Sequence, residues 1–114
     1  MMSLIVNGQV LATDEEGFLL DPSEWNTDVA AVIAQQEGLP LDEQRWGIVC
    51  YIRDYFERNQ SVPEARTLLK NLKQTRGESY ATRRYLYQLF PYGYGQQACK
   101  IAGMCKPRKL MLDV

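Results

Sequence analysis

The chain has 114 residues, 46% of them hydrophobic and 24% charged, which is ordinary for one globular domain with a modest core. No apolar run approaches the roughly 20 residues that a membrane span needs, and the first residues lack the basic-then-apolar pattern of a secretory signal. The chain contains no histidine, which excludes Ser-His-Asp and Cys-His catalysis and histidine-based metal sites. We therefore expect a cytoplasmic protein, monomeric on its own, with no membrane association, metal site or cofactor.

The net charge of −1 conceals an uneven distribution. Residues 1–60 carry three basic and eleven acidic side chains (−8), whereas residues 61–114 carry ten basic and three acidic ones (+7). Such a split favours an anionic partner, protein or nucleic acid, for the C-terminal half. The alternative is that folding intermixes the charges and leaves no patch.

The first predicted element is a β-hairpin. The apolar stretches 4–6 and 9–11 flank Asn7-Gly8, a pair that suits the positive φ angles of a type I′ turn. A further short strand is predicted at 18–20, after the turn residues 14–17. The N-terminal part should thus form a small antiparallel meander.

Five helices are predicted to follow, at residues 27–37, 43–59, 63–72, 79–90 and 96–102. Asn26 or Thr27 suits the cap of the first, Asp42 that of the second and Ser79 that of the fourth. The polar stretch 73–77 is predicted as a loop. The fold class is therefore α+β and predominantly helical.

The end of the chain lacks helical periodicity. After Gly103, the sequence Met-Cys-Lys-Pro-Arg-Lys contains a proline in its middle. We expect a domain at 1–103 and a flexible C-terminal arm at 104–114.

Residues 85–93, Tyr-Leu-Tyr-Gln-Leu-Phe-Pro-Tyr-Gly, and 97–103, Gln-Ala-Cys-Lys-Ile-Ala-Gly, resemble the DsrC/TusE family. That family includes the gamma subunit of dissimilatory sulfite reductase and the TusE protein of tRNA thiolation. The resemblance covers nearly the whole chain, including Asp-Glu-Glu-Gly-Phe-Leu at 14–19, Trp25 and Trp46. It implies a small sheet against about five helices, with a helix-turn-helix-like pair and a thiol-bearing arm.

The resemblance also implies a sulfur-carrying chemistry. In the family a penultimate cysteine carries sulfur as a persulfide, and in DsrC-type members a second cysteine eleven residues upstream pairs with it. Cys99 matches the upstream cysteine, but eleven residues onward the chain has Leu110. Cys105 stands where the family normally has proline. We expect the principal sulfur-carrying cysteine to be absent.

Three cysteines are too few and too irregularly spaced for a disulfide framework. Cys99 is interpreted as a functional thiol near the start of a short helix, where helix dipoles and nearby basic residues stabilise a thiolate. The alternative is a small buried packing residue. Cys105 is either a resolving thiol or an unused one, and an extended helix would put it roughly 9 Å from Cys99. Cys50 is interpreted as a core residue.

Basic residues supply the candidate partner-binding or anion-binding set: Arg66, Lys70, Arg83, Arg84, Lys100 and Lys106. Those on the third and fourth helices suit an acidic protein partner, a solvated face or DNA phosphates. Two functions follow. The first is a sulfur carrier that uses Cys99 and docks onto a sulfite-reductase-like or sulfurtransferase-like complex, so that it is a co-substrate and not a stand-alone catalyst. The second is a regulatory paralogue, a thiol-switched module that binds protein or DNA.

Overall fold

The N-terminal hairpin places one strand face against the helices. The computed structural model describes residues 2–106. Strands β1 (Met2–Val6) and β2 (Gln9–Thr13) pair antiparallel. Asn7 and Gly8 have φ angles of 52° and 81°, so both positive φ angles that the predicted turn requires are present.

The predicted third strand is reduced to a single bridge between Thr13 and Leu19. Turns on both sides of residues 18–20 prevent a longer strand. The Asp14 carboxylate accepts hydrogen bonds from the backbone N–H groups of Glu16 and Phe18, which closes a tight turn before it. A 3₁₀ turn, Pro22–Glu24, begins directly after it. The sheet is therefore two-stranded, and the expected meander is wrong in this respect.

Helices α1 (Thr27–Gln36) and α2 (Glu43–Asn59) begin where the capping residues predict. The Asn26 side chain accepts the N–H of Val29 at 2.9 Å, and the Asp42 carboxylate accepts the N–H of Arg45 at 2.9 Å. Each cap satisfies one of the backbone donors that the first helical turn leaves free.

Helices α3 (Ala65–Arg76) and α4 (Arg83–Leu89) depart from the predicted boundaries. The stretch predicted as a loop continues α3 to Arg76, because its polar residues lie on the exposed side of the helix and Gly77 terminates it at φ 107°. Helix α4 is capped by Thr82, not by Ser79, which lies in the 3₁₀ turn Glu78–Tyr80. The helix-turn-helix-like character of this pair stays a prediction.

The last helical element is π-helical over Tyr94–Cys99, and its helical path continues through Ile101. It replaces the short α-helix predicted at 96–102. This element and the residues that follow it are almost entirely buried, as far as Met104, which is 0% exposed. They fill the space between the hairpin, α1 and α2, together with inward side chains from each: Leu4, Val6, Leu11, Val29, Ile33, Ile48, Val49 and Ile52.

The predominantly helical α+β fold class is confirmed. Within residues 2–106, no helix is both long enough and apolar enough to cross a membrane. In the same range, no group of three or more acidic or cysteine side chains could hold a metal ion.

Candidate functional site

Cys99 lies in the hydrophobic core. Its thiol is buried, with 0% of the residue exposed, at the end of the π-helical element. Burial raises the pKa of Cys99 to about 12, and a hydrogen bond with the Tyr94 hydroxyl opposes the rise only in part. The expectation of an exposed thiol with a dipole-stabilised thiolate is therefore wrong, because desolvation of the charged form dominates. Whether Cys99 is functional stays a prediction.

The Tyr94 hydroxyl beside this thiol is itself anchored. It donates a hydrogen bond to the backbone carbonyl of Pro63 at 2.6 Å. Burial raises its pKa above the ordinary range for a tyrosine, so it stays protonated at neutral pH. Cys99 thus faces a fixed neutral hydroxyl, not a base that could accept its proton.

Lys100, predicted to stabilise the thiolate or to bind a partner, is buried and paired with a carboxylate. It is 7% exposed, and its ammonium nitrogen lies 3.1 Å from a carboxylate oxygen of Glu37. The same carboxylate accepts a hydrogen bond from Gln97 at 3.2 Å, and the ammonium also lies 5.0 Å from the Phe18 ring centroid. Lys100 therefore forms a buried ion pair that joins the last helical element to the end of α1.

The residues after Cys99 are held by what we call the Trp25–Arg53 clamp. The indole N–H of Trp25 donates to the carbonyl of Ile101 at 2.8 Å, and Arg53 donates to the carbonyls of Ala102 at 3.4 Å and Pro22 at 2.8 Å. The Arg53 guanidinium lies 4.9 Å from the Trp25 ring centroid. Two side chains from distant segments thereby fix the backbone on both sides of Ala102.

Gly103 completes the clamp. Its φ is +80°, and a side chain at this position would overlap the Trp25 ring. Only glycine fulfils both requirements without strain. The backbone N–H of Met104 then donates to the carbonyl of Cys99 at 3.1 Å, and the Met104 side chain is buried. The segment assigned to a mobile arm thus begins with a fully buried residue.

Cys105 is the exposed thiol of the site. Its sulfur lies 3.5 Å from the carbonyl oxygen of Leu20, and its pKa is raised by partial desolvation and by the carboxylates of Asp21 and Asp14. Lys106, predicted to support a thiolate, forms an ion pair with Glu16. The thiol is accessible but not activated by its neighbours.

Cys50 is half-buried on α2, and desolvation and the Asp54 carboxylate raise its pKa. All three cysteines are free. Residues 107–114, which carry most of the predicted arm, lie outside the described residues. The domain boundary at 103 stays a prediction.

The remaining predicted basic residues lie on the surface of α3 and α4: Arg66, Lys70, Arg83 and Arg84. Arg66 is only 3.6 Å from the Glu64 carboxylate, but its side chain is 76% exposed. All four side chains are exposed, whereas Cys99 is buried. Their role in binding a partner stays a prediction.

Sequence reasoning missed the clamp. Trp25 entered only as part of a resemblance, and Arg53 has the sequence signature of an ordinary residue on an amphipathic helix. The available signal was Gly103 directly after a helical block, which indicates a positive φ but not the ring that lies against it.

The fold and the site define a small, predominantly helical protein with a buried thiol and an exposed thiol at its last helical element. Known proteins share this fold. A family model described as DsrC like protein matches residues 5–111, and the chain belongs to that family. The family identification made from the sequence is confirmed.

Relatives and solved structures agree with this assignment. The chain is 42% identical over 102 residues to the sulfurtransferase TusE of Pectobacterium atrosepticum, covering 90% of this chain and 94% of the relative. It is also 42% identical over 106 residues to the TusE of Escherichia coli K12, covering 93% and 97%.

The structure resembles the oxidized gamma-subunit of the dissimilatory sulfite reductase (DsrC) from Archaeoglobus fulgidus, with a TM-score of 0.86 and 38% identity. It also resembles DsrC of Allochromatium vinosum, with a TM-score of 0.83 and 40% identity. Both comparisons cover 94% of this chain and 97% of the other. These names give no support to DNA binding.

Proposed function

We propose that this protein is a sulfur-relay carrier that accepts sulfur on a cysteine as a persulfide and delivers it to a second protein. The observation that carries the proposal is the near full-length match to proteins named sulfurtransferase TusE. The matches to TusE and to DsrC together support sulfurtransferase-like or sulfite-reductase-like complexes as its partners. The proposal places it in the cytoplasm, where free thiols stay reduced.

The geometry favours Cys105 as the thiol that receives sulfur. Transfer requires a thiolate to reach the outer sulfur of the donor persulfide. The Cys105 thiolate attacks that sulfur and forms a new S–S bond, while the S–S bond of the donor breaks. The donor's own sulfur leaves as a thiolate and takes up the proton that the Cys105 thiol lost. No external oxidant or reductant enters. Cys99, at 0% exposure, cannot take part in this step without rearrangement.

Cys99 is available for a second step if the clamp opens. Its thiolate can then attack the Cys105 sulfur of the persulfide, which forms a Cys99–Cys105 disulfide and expels the carried sulfur as hydrosulfide for the second protein to take up. This step requires the hydrogen bond between the Met104 N–H and the Cys99 carbonyl to break, and Met104 to leave the core. Exposing such a side chain costs about 1.5–3 kcal/mol. We therefore place Cys99 downstream of Cys105, with Cys99 as the resolving thiol.

Loading with glutathione persulfide, followed by intact mass spectrometry, tests the carrier function. Wild type should gain one sulfur atom, Cys105→Ser should gain none, and Cys50→Ser should load like wild type. If wild type gains no sulfur, the carrier function fails. If Cys105→Ser loads normally and Cys99→Ala does not, the carrier function holds and Cys99 is the receiving thiol.

A further inference from the structure

The outward side of the hairpin carries exposed apolar side chains. Ile5 and Val10 are opposite each other in the register and are 66% and 64% exposed. The N–H of Leu20 donates to the carbonyl of Ala12 at 3.2 Å, which extends the same face by one residue, and Leu20 is 51% exposed. Ile5, Val10, Ala12 and Leu20 are here called the outer hairpin face.

This face has no partner within the described part of the chain. In a sheet with one face on the core, the outward positions are normally polar. Here the inward residues Leu4, Val6 and Leu11 are at most 5% exposed. The hairpin therefore packs on the core through its inner face, and the outer hairpin face does not contribute to that core. Contiguous exposed apolar surface of this kind is typical of a site that another molecule covers.

Acidic residues border the outer hairpin face. The turn after β2 carries Asp14, Glu15 and Glu16, and the turn after Leu20 carries Asp21 and Glu24. Residues 1–44 contain nine acidic side chains and no basic one. The only ion pair that the described residues form with this border joins Glu16 to Lys106. The border is therefore strongly negative.

The exposed thiol lies at the edge of this surface. The Cys105 sulfur contacts the carbonyl oxygen of Leu20 at 3.5 Å, and Lys106 extends over the border to Glu16. A macromolecule that covers Leu20 is thus brought next to Cys105.

We propose that the outer hairpin face is a docking site for a protein surface that combines apolar side chains with lysine or arginine residues. The apolar residues cover Ile5, Val10 and Leu20, and the cations complement the acidic border. This inference rests on the proposed carrier function, because a sulfur donor or acceptor must approach Cys105.

Docking of such a surface would also change the reactivity of the thiol. The charged groups near Cys105 are the carboxylates of Asp21 and Asp14 and the Glu16–Lys106 ion pair. Desolvation and the two carboxylates hold the pKa of the thiol above the ordinary value. Cations brought to those carboxylates favour the thiolate. The partner would thereby activate the thiol with which it reacts.

Titration of the full-length protein with a lysine–leucine peptide, followed by backbone amide NMR, tests the proposal. A glutamate–leucine peptide and a lysine–serine peptide separate the contributions of charge and apolar surface. The lysine–leucine peptide should shift the signals of Ile5, Val10, Leu20 and Cys105, with at least tenfold tighter binding than either control peptide.

Matched variants locate the site. Ile5→Thr with Val10→Thr keeps β-branched side chains in the strands and should weaken lysine–leucine binding at least tenfold. Tyr87→Ser with Tyr92→Ser removes similarly exposed side chains elsewhere, at 59% and 77% exposure, and should leave binding unchanged. Equal effects of the two pairs would overturn the proposal.

The docking proposal would also be overturned if either of two other occupants covered the outer hairpin face. If the outer-face signals depend on protein concentration without peptide, a second copy of the chain covers the face. If Arg108→Glu with Lys109→Glu shifts those signals in the free protein, the chain's own last residues cover it. Persulfide loading from glutathione persulfide needs no docking, so its failure identifies a fault in the carrier function and not in the docking site.

Discussion

Cys99 and Cys105 are six residues apart in the sequence but experience opposite environments. Cys99 is enclosed by the last helical element, whereas Cys105 is exposed beside Leu20. The reactivity of a thiol depends on both its access and its thiolate fraction. Both thiols have raised pKa values, so access decides the order in which they react.

The first prediction concerns that order. Brief treatment of the native protein with iodoacetamide should label Cys105 first, Cys50 more slowly and Cys99 last. Peptide mass mapping measures the three rates, and labelling in denaturant supplies the unprotected reference. Equal protection of Cys99 and Cys105 relative to that reference would contradict the assignment.

The second prediction uses the pKa of Cys99. Because its pKa rises from about 9.0 to about 12 on folding, the neutral thiol stabilises the folded state below pH 9. This contribution should be lost above pH 9 by up to about 1.4 kcal/mol per pH unit. Urea unfolding at pH 8 and pH 10.5 measures it against Cys99→Ala, which lacks the group. The stability advantage of wild type over the variant should shrink at the higher pH.

At the scale of elements, the Trp25–Arg53 clamp holds the backbone that directly follows Cys99. It joins the loop before α1, helix α2 and the end of the last helical element. The clamp is built on backbone carbonyls, so its strength depends on the path of the chain at 101–103 more than on the identity of those side chains. Gly103 determines that path.

Gly103→Ala should open the clamp. A positive φ costs an alanine about 1–2 kcal/mol, and the overlap with Trp25 adds about 1–3 kcal/mol. Urea unfolding should show the combined loss, and Cys99 should become more reactive toward iodoacetamide.

Gly38→Ala is the matched control for this variant. Gly38 has φ +72° with open space around it, so only the conformational cost applies. Equal destabilisation by the two substitutions, with Cys99 still protected in both, would argue against the clamp.

Much of the element order was predictable, and the errors have physical causes. Caps at Asn26 and Asp42 are local signals, and both helices begin there. The extension of α3 through polar residues was not predictable from apolar spacing, because an exposed helix end needs no apolar residue. The burial of Lys100 depends on Glu37, which is 63 residues away, and no local pattern reports such a contact.

At the scale of the whole molecule, the uneven charge acts on the thiol site. The acidic N-terminal half supplies Asp14 and Asp21 next to Cys105, although the basic residues nearest to it in sequence suggested the opposite. The electrostatic environment of Cys105 is therefore determined by residues that the fold brings close, not by its neighbours in the sequence. Charges of the two halves meet at this point of the surface, since Lys106 pairs with Glu16, but the carboxylates of Asp21 and Asp14 still contribute to the raised pKa of Cys105.

Asp14→Asn with Asp21→Asn should lower the pKa of Cys105 and speed its alkylation at neutral pH, since both amides can still accept the local hydrogen bonds. The pH dependence of iodoacetamide labelling measures the shift. Glu64→Gln with Glu78→Gln removes the same charge elsewhere and should leave the profile in place. If the pH dependence of labelling is unchanged in Asp14→Asn with Asp21→Asn, the two carboxylates do not raise the pKa of Cys105.

The burial of residues 97–104 has a consequence for how the protein is made. These residues occupy the middle of the core, yet the ribosome synthesises them after the hairpin and helices α1 to α4. A nascent chain that ends at α4 lacks the central filling of its own core, so its apolar surfaces remain open to solvent and to chaperones. Stable folding must therefore wait until the segment through Met104 has left the exit tunnel.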